Sequence, residues 1–102
     1  MQTGEIETFL SRTTLRQVEV MIALSRHSSM TKAADELGIT VAAVSRMTKR
    51  FESNLGISLF AESAKRSVLL EEGREVIAHL EPLLQEIHVL KAKLRGVGRN
   101  SK

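Results

Sequence analysis

The sequence predicts a mainly α-helical fold of three short helices, a two-stranded ribbon and one long closing helix. Three observations predict it. Two capped helical segments are separated by a tight turn at Gly38. Two short apolar runs, at 57–60 and 67–70, flank the polar stretch 61–66. From Glu71 onward, Val76, Leu80, Leu83, Ile87, Leu90 and Leu94 recur at alternating spacings of four and three.

Residues 1–12 are read as an N-terminal arm, with Ile6, Phe9 and Leu10 placed to give at most one apolar helical turn. Thr14 and Gln17 have the spacing of a capping box, so a first helix runs from about Leu15 to Arg26. Leu15, Val18, Met21, Ile22 and Ser25 recur along it at helical spacing. Ser29 or Thr31 caps a short second helix, where Ala33 and Ala34 are small enough for another helix to cross closely. Gly38 ends it, Thr40 caps the third helix, and Gly56 ends that one. The runs around the polar stretch then give a ribbon with a charged tip. The final helix, 71–95, contains Pro82, where the missing N–H predicts a kink or a break. Gly96 and Gly98 are expected to dissolve it into a basic flexible tail, 96–102.

Composition excludes several functions. The 102 residues contain no cysteine, which removes disulfides, thiolate metal sites and cysteine nucleophiles. His27, His79 and His88 lack metal-ligand spacing, so no metal, and no cofactor, is expected. Met21 and Met47 read as apolar fillers. No apolar run approaches the roughly 18 residues of a membrane span. Tryptophan and tyrosine are absent, which argues against base-stacking platforms for single strands. No glycine-rich phosphate loop or nucleophile elbow is present, so the chain is not read as an enzyme. The net charge of +3 is modest, but its distribution is uneven. Residues 13–70 are basic, 71–90 acidic and 91–102 basic again.

Three helices with a tight turn between the second and third, followed by a ribbon, describe a winged helix-turn-helix over 13–70. On the third helix, Val44, Thr48, Phe51 and Leu55 form an apolar stripe. Ala42, Ser45, Arg46 and Lys49 fall opposite, with Arg50 on the flank. Bases opposite an apolar stripe occur on any surface helix. The combination of capped helix, tight turn, capped helix and basic wing is what points to DNA. Small residues at the helix start allow close approach to a groove. Ser45 and Arg46 suit base edges or phosphates, and Thr40 with the free N–H groups at the helix start suits a phosphate. Lys65 and Arg66 at the wing tip suit the DNA backbone or minor groove.

These residues also resemble a known family. Leu15-Arg16-Gln17, Ser29-Met30-Thr31-Lys32-Ala33-Ala34, Leu37, Ala43-Val44-Ser45-Arg46, Phe51-Glu52, Leu55-Gly56, Leu59-Phe60 and Glu72-Gly73 look like the LysR-type transcriptional regulators. The resemblance covers about 14–94, and the ordered set of blocks is far more specific than any one of them. It implies promoter binding by the N-terminal winged domain and dimerisation through the long linker helix. Ser45 and Arg46 fall on recognition-helix positions that contact DNA in that family, and Thr40 on the polar position that opens the helix. The chain departs from the pattern at Val41, where a polar residue such as glutamine is usual. It departs again at Glu62, where arginine is usual, and at Leu70, where threonine is common. The family's two-lobed effector domain has no counterpart in these 102 residues.

The expected function is therefore sequence-specific binding of double-stranded DNA by a cytoplasmic, nucleoid-associated homodimer. Thr40, Val41, Ala42, Ser45, Arg46, Lys49, Arg50, Lys65 and Arg66 are expected at the DNA. Val76, Leu80, Leu83, Ile87, Leu90 and Leu94 are expected at the dimer seam. No small-molecule ligand and no membrane are expected as partners. A rival reading makes the seam a capture surface for the linker helix of a full-length LysR-type protein, giving a mixed dimer.

Overall fold

The computed structural model describes residues 3–63 and 66–100. Its elements are α1 (Thr3–Arg12), α2 (Leu15–His27), α3 (Met30–Leu37), α4 (Val41–Leu55), β1 (Phe60–Ser63), β2 (Arg66–Leu69) and α5 (Glu71–Asn100).

The core is built around α2. Its capping box is complete: Gln17 N–H donates to Thr14 Oγ1 at 3.1 Å, and Thr14 N–H donates to Gln17 Oε1 at 3.2 Å. Val18, Val20, Met21, Ile22, Ala23 and Leu24 are buried, so α2 is covered on most of its circumference. Leu15, expected in the apolar series, is exposed at the helix start, and the buried series begins at Gln17 and Val18. Ser28 turns left-handed (φ 53°) and ends the helix. Ser29, not Thr31, caps α3, accepting the N–H of Lys32 at 3.2 Å. Ala33 and Ala34 are buried where α3 lies between α2 and α4. Arg26 and His27 of α2 both reach Glu36 of α3, at 2.6 and 2.7 Å, and join the two helices at the surface.

The turn from α3 to α4 rests on Gly38, whose φ of +66° disfavours any side chain. Ile39 N–H donates back to Ala34 O at 3.0 Å, and Thr40 then caps α4.

The expected N-terminal arm is instead a helix. Phe9 meets Phe51 of α4 edge-to-face, with ring centroids 5.7 Å apart. The Asn54 side-chain amide, also on α4, donates to Arg12 O at 3.1 Å and to Thr13 Oγ1 at 3.3 Å. A single inward aromatic and one amide anchor hold α1, while Ile6 and Leu10 stay exposed. Periodicity alone gave too little signal to predict this.

The ribbon is antiparallel, pairing Phe60 with Leu69, Ala61 with Val68, Glu62 with Ser67 and Ser63 with Arg66. The strands reach further into the polar stretch than the apolar runs predict. Ile57, Ser58 and Leu59 precede β1, and residues 64–65 lie outside the described residues. Leu59, opposite Leu70 in this register, makes only half of the next ladder pair, because its N–H is taken by Glu52. Its carbonyl accepts the N–H of Leu70 at 2.8 Å, and its N–H is bound by Glu52. Ser67 N–H donates to Ser28 O at 3.1 Å, which ties the wing to the end of α2.

The long helix corrects two expectations. It runs without a break through Pro82, and it continues past residue 95 through Gly96 and Gly98 to Asn100. Proline removes one N–H from a ladder of many, and the turns on either side keep theirs. Residues 101–102 of the expected tail lie outside the described residues. Near its start, Gly73 packs against the Leu59 carbonyl so closely that a Cβ would collide with backbone. Ile77 and Leu80 are buried in the core, where α5 crosses α2. Among the described residues no helix is long and apolar enough to cross a membrane.

Candidate nucleic-acid interface

The face of α4 is decided by its apolar stripe. Val44, Thr48 and Phe51 are buried and Leu55 is half-buried. Thr48 sits in this stripe at little cost, because its hydroxyl donates to Val44 O at 2.8 Å. The opposite face is therefore turned outward. Thr40, Val41, Ala42, Arg46, Lys49 and Arg50 are exposed, and Ser45 is half-buried.

At the start of α4, Thr40 Oγ1 accepts the N–H of Ala43 at 3.0 Å, and Thr40 O accepts that of Val44 at 3.1 Å. The capping oxygen is thus occupied by its own helix. The N–H groups of Val41 and Ala42 have no acceptor within the helix, as in any first turn, and point outward. Arg46, Lys49 and Arg50 carry the charge. Ion pairs among the described residues join Arg16 to Glu19, and Arg26 and His27 to Glu36. None of them draws on the three α4 cations.

The wing stands beside α4. A concavity of about 190 Å³ lies between them, lined by Ser45 and Lys49 of α4, by Phe60 and Glu62 of β1, and by Met30 and Glu52. Glu62 is exposed at this edge and accepts the hydroxyl of Ser67 at 2.9 Å across the ribbon. Glu62, which stands where the resemblance leads one to expect arginine, is thus oriented by its own cross-strand partner and lines the same concavity as Lys49. Arg66 is exposed on β2, within the strand rather than in the tip, while Lys65 lies outside the described residues.

Glu52 is the residue that sequence reasoning missed. One carboxylate oxygen, Oε2, accepts the backbone N–H of Leu59 at 2.7 Å and of Phe60 at 3.1 Å. That fastens α4 to the root of the wing. Only its place in the Phe51-Glu52 block marked it beforehand, and a glutamate on a helix flank carries no other signal.

The expected seam on α5 divides. Leu80 is only 9% exposed and belongs to the core of its own chain, and Val76 is half-buried against that core. Leu83, Ile87, Leu90 and Leu94 are exposed. The division follows from the face: α5 turns Gly73, Ile77, Leu80 and Leu84 toward the core, so Leu80 of the heptad stripe lies on that face, Val76 at its edge, and the rest of the stripe outside it. Among the described residues, no group of three or more His, Asp or Glu side chains is placed to hold a metal ion.

A family model described as "Bacterial regulatory helix-turn-helix protein, lysR family" matches residues 15–74, which is more than half of the chain. The chain belongs to the LysR family. The matched stretch begins at the capped α2 and ends just past the tight Gly73 contact, so it takes in the three helices and the wing of this LysR-family domain and leaves α1 outside. Among curated relatives, the RuBisCO operon transcriptional regulator of Allochromatium vinosum is 40% identical over 90 residues, covering 85% of this chain and 30% of its own length. The HTH-type transcriptional regulator CfxR of Cupriavidus necator is 34% identical over 92 residues, covering 90% of this chain and 29% of its own. The LysR-family chain described here thus spans just under a third of the length of these relatives, which are transcriptional regulators and not enzymes. Among solved structures, the BenM DNA-binding domain in complex with benA site 1 DNA superposes with a TM-score of 0.75 at 26% identity, covering 83% of this chain and 99% of that one. The mainly helical fold with its wing and long closing helix is the fold of LysR-type DNA-binding domains.

Proposed function

We propose that this chain binds double-stranded DNA sequence-specifically as a homodimer, with α4 as the recognition helix of a LysR-type transcriptional regulator acting in the cytoplasm. The observation that carries the reading is the outward face of α4. It has a first turn of small and apolar residues, and then Arg46, Lys49 and Arg50, which enter none of the ion pairs of the described residues. A helix start of this kind enters a major groove, and the cations beyond it meet the phosphates on either side. Arg66 and, by its position in the sequence, Lys65 add backbone contacts from the wing. The likeness to a DNA-bound BenM domain supports the same placement.

The dimer is supported by the exposed stripe Leu83, Ile87, Leu90 and Leu94. An antiparallel pair of α5 helices buries it and brings Glu81 and Glu86 of one protomer toward Lys91 and Lys93 of its partner. Two recognition helices then address half-sites about one helical turn of DNA apart, or a multiple of it. Titration of the protein against duplex DNA at two salt concentrations tests the reading. Affinity falling steeply with salt, and a footprint of two half-sites, are the expected results. Affinity indifferent to salt, or no binding to duplex at all, removes α4 from the DNA.

A further inference from the structure

Val41 is the one large apolar side chain of α4 that is exposed, at 44%. The core makes no use of it. Its backbone does not need it either, since valine is a poorer helix former than alanine or the long straight-chain residues that surface positions favour. Apart from the Ser45 hydroxyl one turn on, its neighbours along the helix offer little polar reach. The Thr40 hydroxyl oxygen is held by Ala43 N–H, and the next two side chains are the methyl groups of Ala42 and Ala43. The first charged side chain of the helix is Arg46, more than a turn further on. One helical step of 100° per residue puts Val41 on the Ser45 side of the outward face, with Arg46 on the other side.

Resting on the reading of α4 as the recognition helix, we infer that Val41 is a specificity-determining residue that packs on the C5-methyl group of a pyrimidine in the major groove. The groove edge of a base pair presents hydrogen-bond donors and acceptors and a single kind of apolar group, that methyl. The first residues of a recognition helix are the ones that reach base edges. An isopropyl group here has no hydrogen bond to offer and excludes water from whatever it covers. It therefore discriminates for a methyl and against the bare ring carbon. Thymine carries this methyl, and so does 5-methylcytosine, so the contact is defined by the methyl and not by the Watson–Crick partner.

The experiment selects a preferred duplex from a random library with the unmodified protein. Each thymine of that site is then replaced singly by deoxyuridine, which removes only the methyl. At the position that responds, cytosine and 5-methylcytosine, each paired with guanine, are compared as a second arm. Loss of one buried methyl is expected to weaken binding about fourfold at one position in each half-site. If the methyl is read as such, 5-methylcytosine binds more tightly than cytosine by a similar factor. A deoxyuridine penalty with no gain for 5-methylcytosine over cytosine overturns the methyl as the group that is read, and a penalty that Val41→Ala abolishes supports Val41 as its reader. That variant gains helix propensity, so a misfolded helix does not account for its loss of discrimination. A deoxyuridine scan that is flat for the unmodified protein overturns the inference while leaving α4 at the DNA. So does a penalty that survives undiminished in Val41→Ala. Failure to select any duplex overturns the inference together with the reading beneath it.

Discussion

Glu52 of α4 holds Leu59 by its backbone: the carboxylate Oε2 accepts the Leu59 N–H at 2.7 Å and shares itself with the N–H of Phe60. Leu59 is fully buried, and its carbonyl accepts Leu70 N–H at 2.8 Å and packs on Gly73 at the start of α5. One loop residue therefore links the recognition helix, the wing and the long helix. The fixed geometry matters because the wing has only two strands, and an isolated hairpin is marginal in water.

Glu52→Ala is expected to leave two backbone N–H groups without their acceptor at the root of the wing. The cost is about 1–3 kcal/mol of folding stability, the usual penalty for stranding a buried donor. Chemical denaturation of the variant beside the unmodified protein measures it. A midpoint and slope both unchanged would show that water replaces the carboxylate freely.

Phe9→Ala tests the helix outside the family match. Its ring is half-buried and meets Phe51 edge-to-face, a geometry worth about 0.5–1.5 kcal/mol beyond the area it buries. The variant is expected to lose at least that much stability, and protease cleavage near the N-terminus is expected to speed up. If Phe9→Ala melts with the unmodified protein, α1 does not brace α4.

Arg46→Ala is expected to weaken binding to a footprinted site by about 1–3 kcal/mol and to relax preference at one base position. Its side chain is exposed on the outward face and enters none of the ion pairs of the described residues, so folding stability is expected to stay within about 0.5 kcal/mol. Equal affinity of variant and parent for that site would remove Arg46 from the interface.

Much of this was legible in the sequence, and the reasons it was are local. Capping boxes and left-handed glycines are decided by a few neighbouring residues, so Thr14, Ser29, Thr40, Gly38 and Gly56 marked the helix ends correctly. The stripe of Val44, Thr48 and Phe51 marked the inward face of α4 because burial repeats with the helix period. What the sequence concealed depends on residues far apart in the chain. Phe9 gains its partner 42 positions away, and Glu52 bonds a loop rather than its own helix. The division of the α5 stripe depends on which face of the helix meets the core, that of Ile77, Leu80 and Leu84, which no heptad count contains. Pro82 and the glycines after it overstated the tendency to break, because single-residue propensities of about 1–3 kcal/mol do not end a long helix by themselves.

Glu62→Arg reverses a charge on the wing wall of the concavity that Lys49 also lines. It also removes the acceptor of the buried Ser67 hydroxyl, at an expected cost of about 1–3 kcal/mol of folding stability. Non-specific affinity for duplex DNA is expected to rise, with the salt slope steepening by about one unit for one added phosphate contact. If affinity and slope both stay where they are, the wing edge does not approach the backbone.

Ile87→Asp tests the assembly. Leu83, Ile87, Leu90 and Leu94 are spaced four, three and four along α5 and stand exposed by 59, 36, 53 and 58%. Four large apolar side chains in one stripe are more than a soluble monomer usually leaves to water. The inner half of the helix offers no alternative cover, since Ile77 and Leu80 are already seated in the core. Antiparallel pairing also places the acidic stretch at 81–86 against the basic one at 91–95, whereas parallel pairing stacks like on like. A carboxylate at position 87 enters the middle of that seam, and burying it unpaired costs several kcal/mol. The variant is expected to sediment as a monomer at micromolar concentration. Its helix content is expected to stay near that of the parent, because the core ends before residue 87. It is expected to bind DNA weakly, because a single recognition helix then acts without its mate. The unmodified protein sedimenting as a monomer at the same concentration would remove both the dimer and the two half-sites that follow from it.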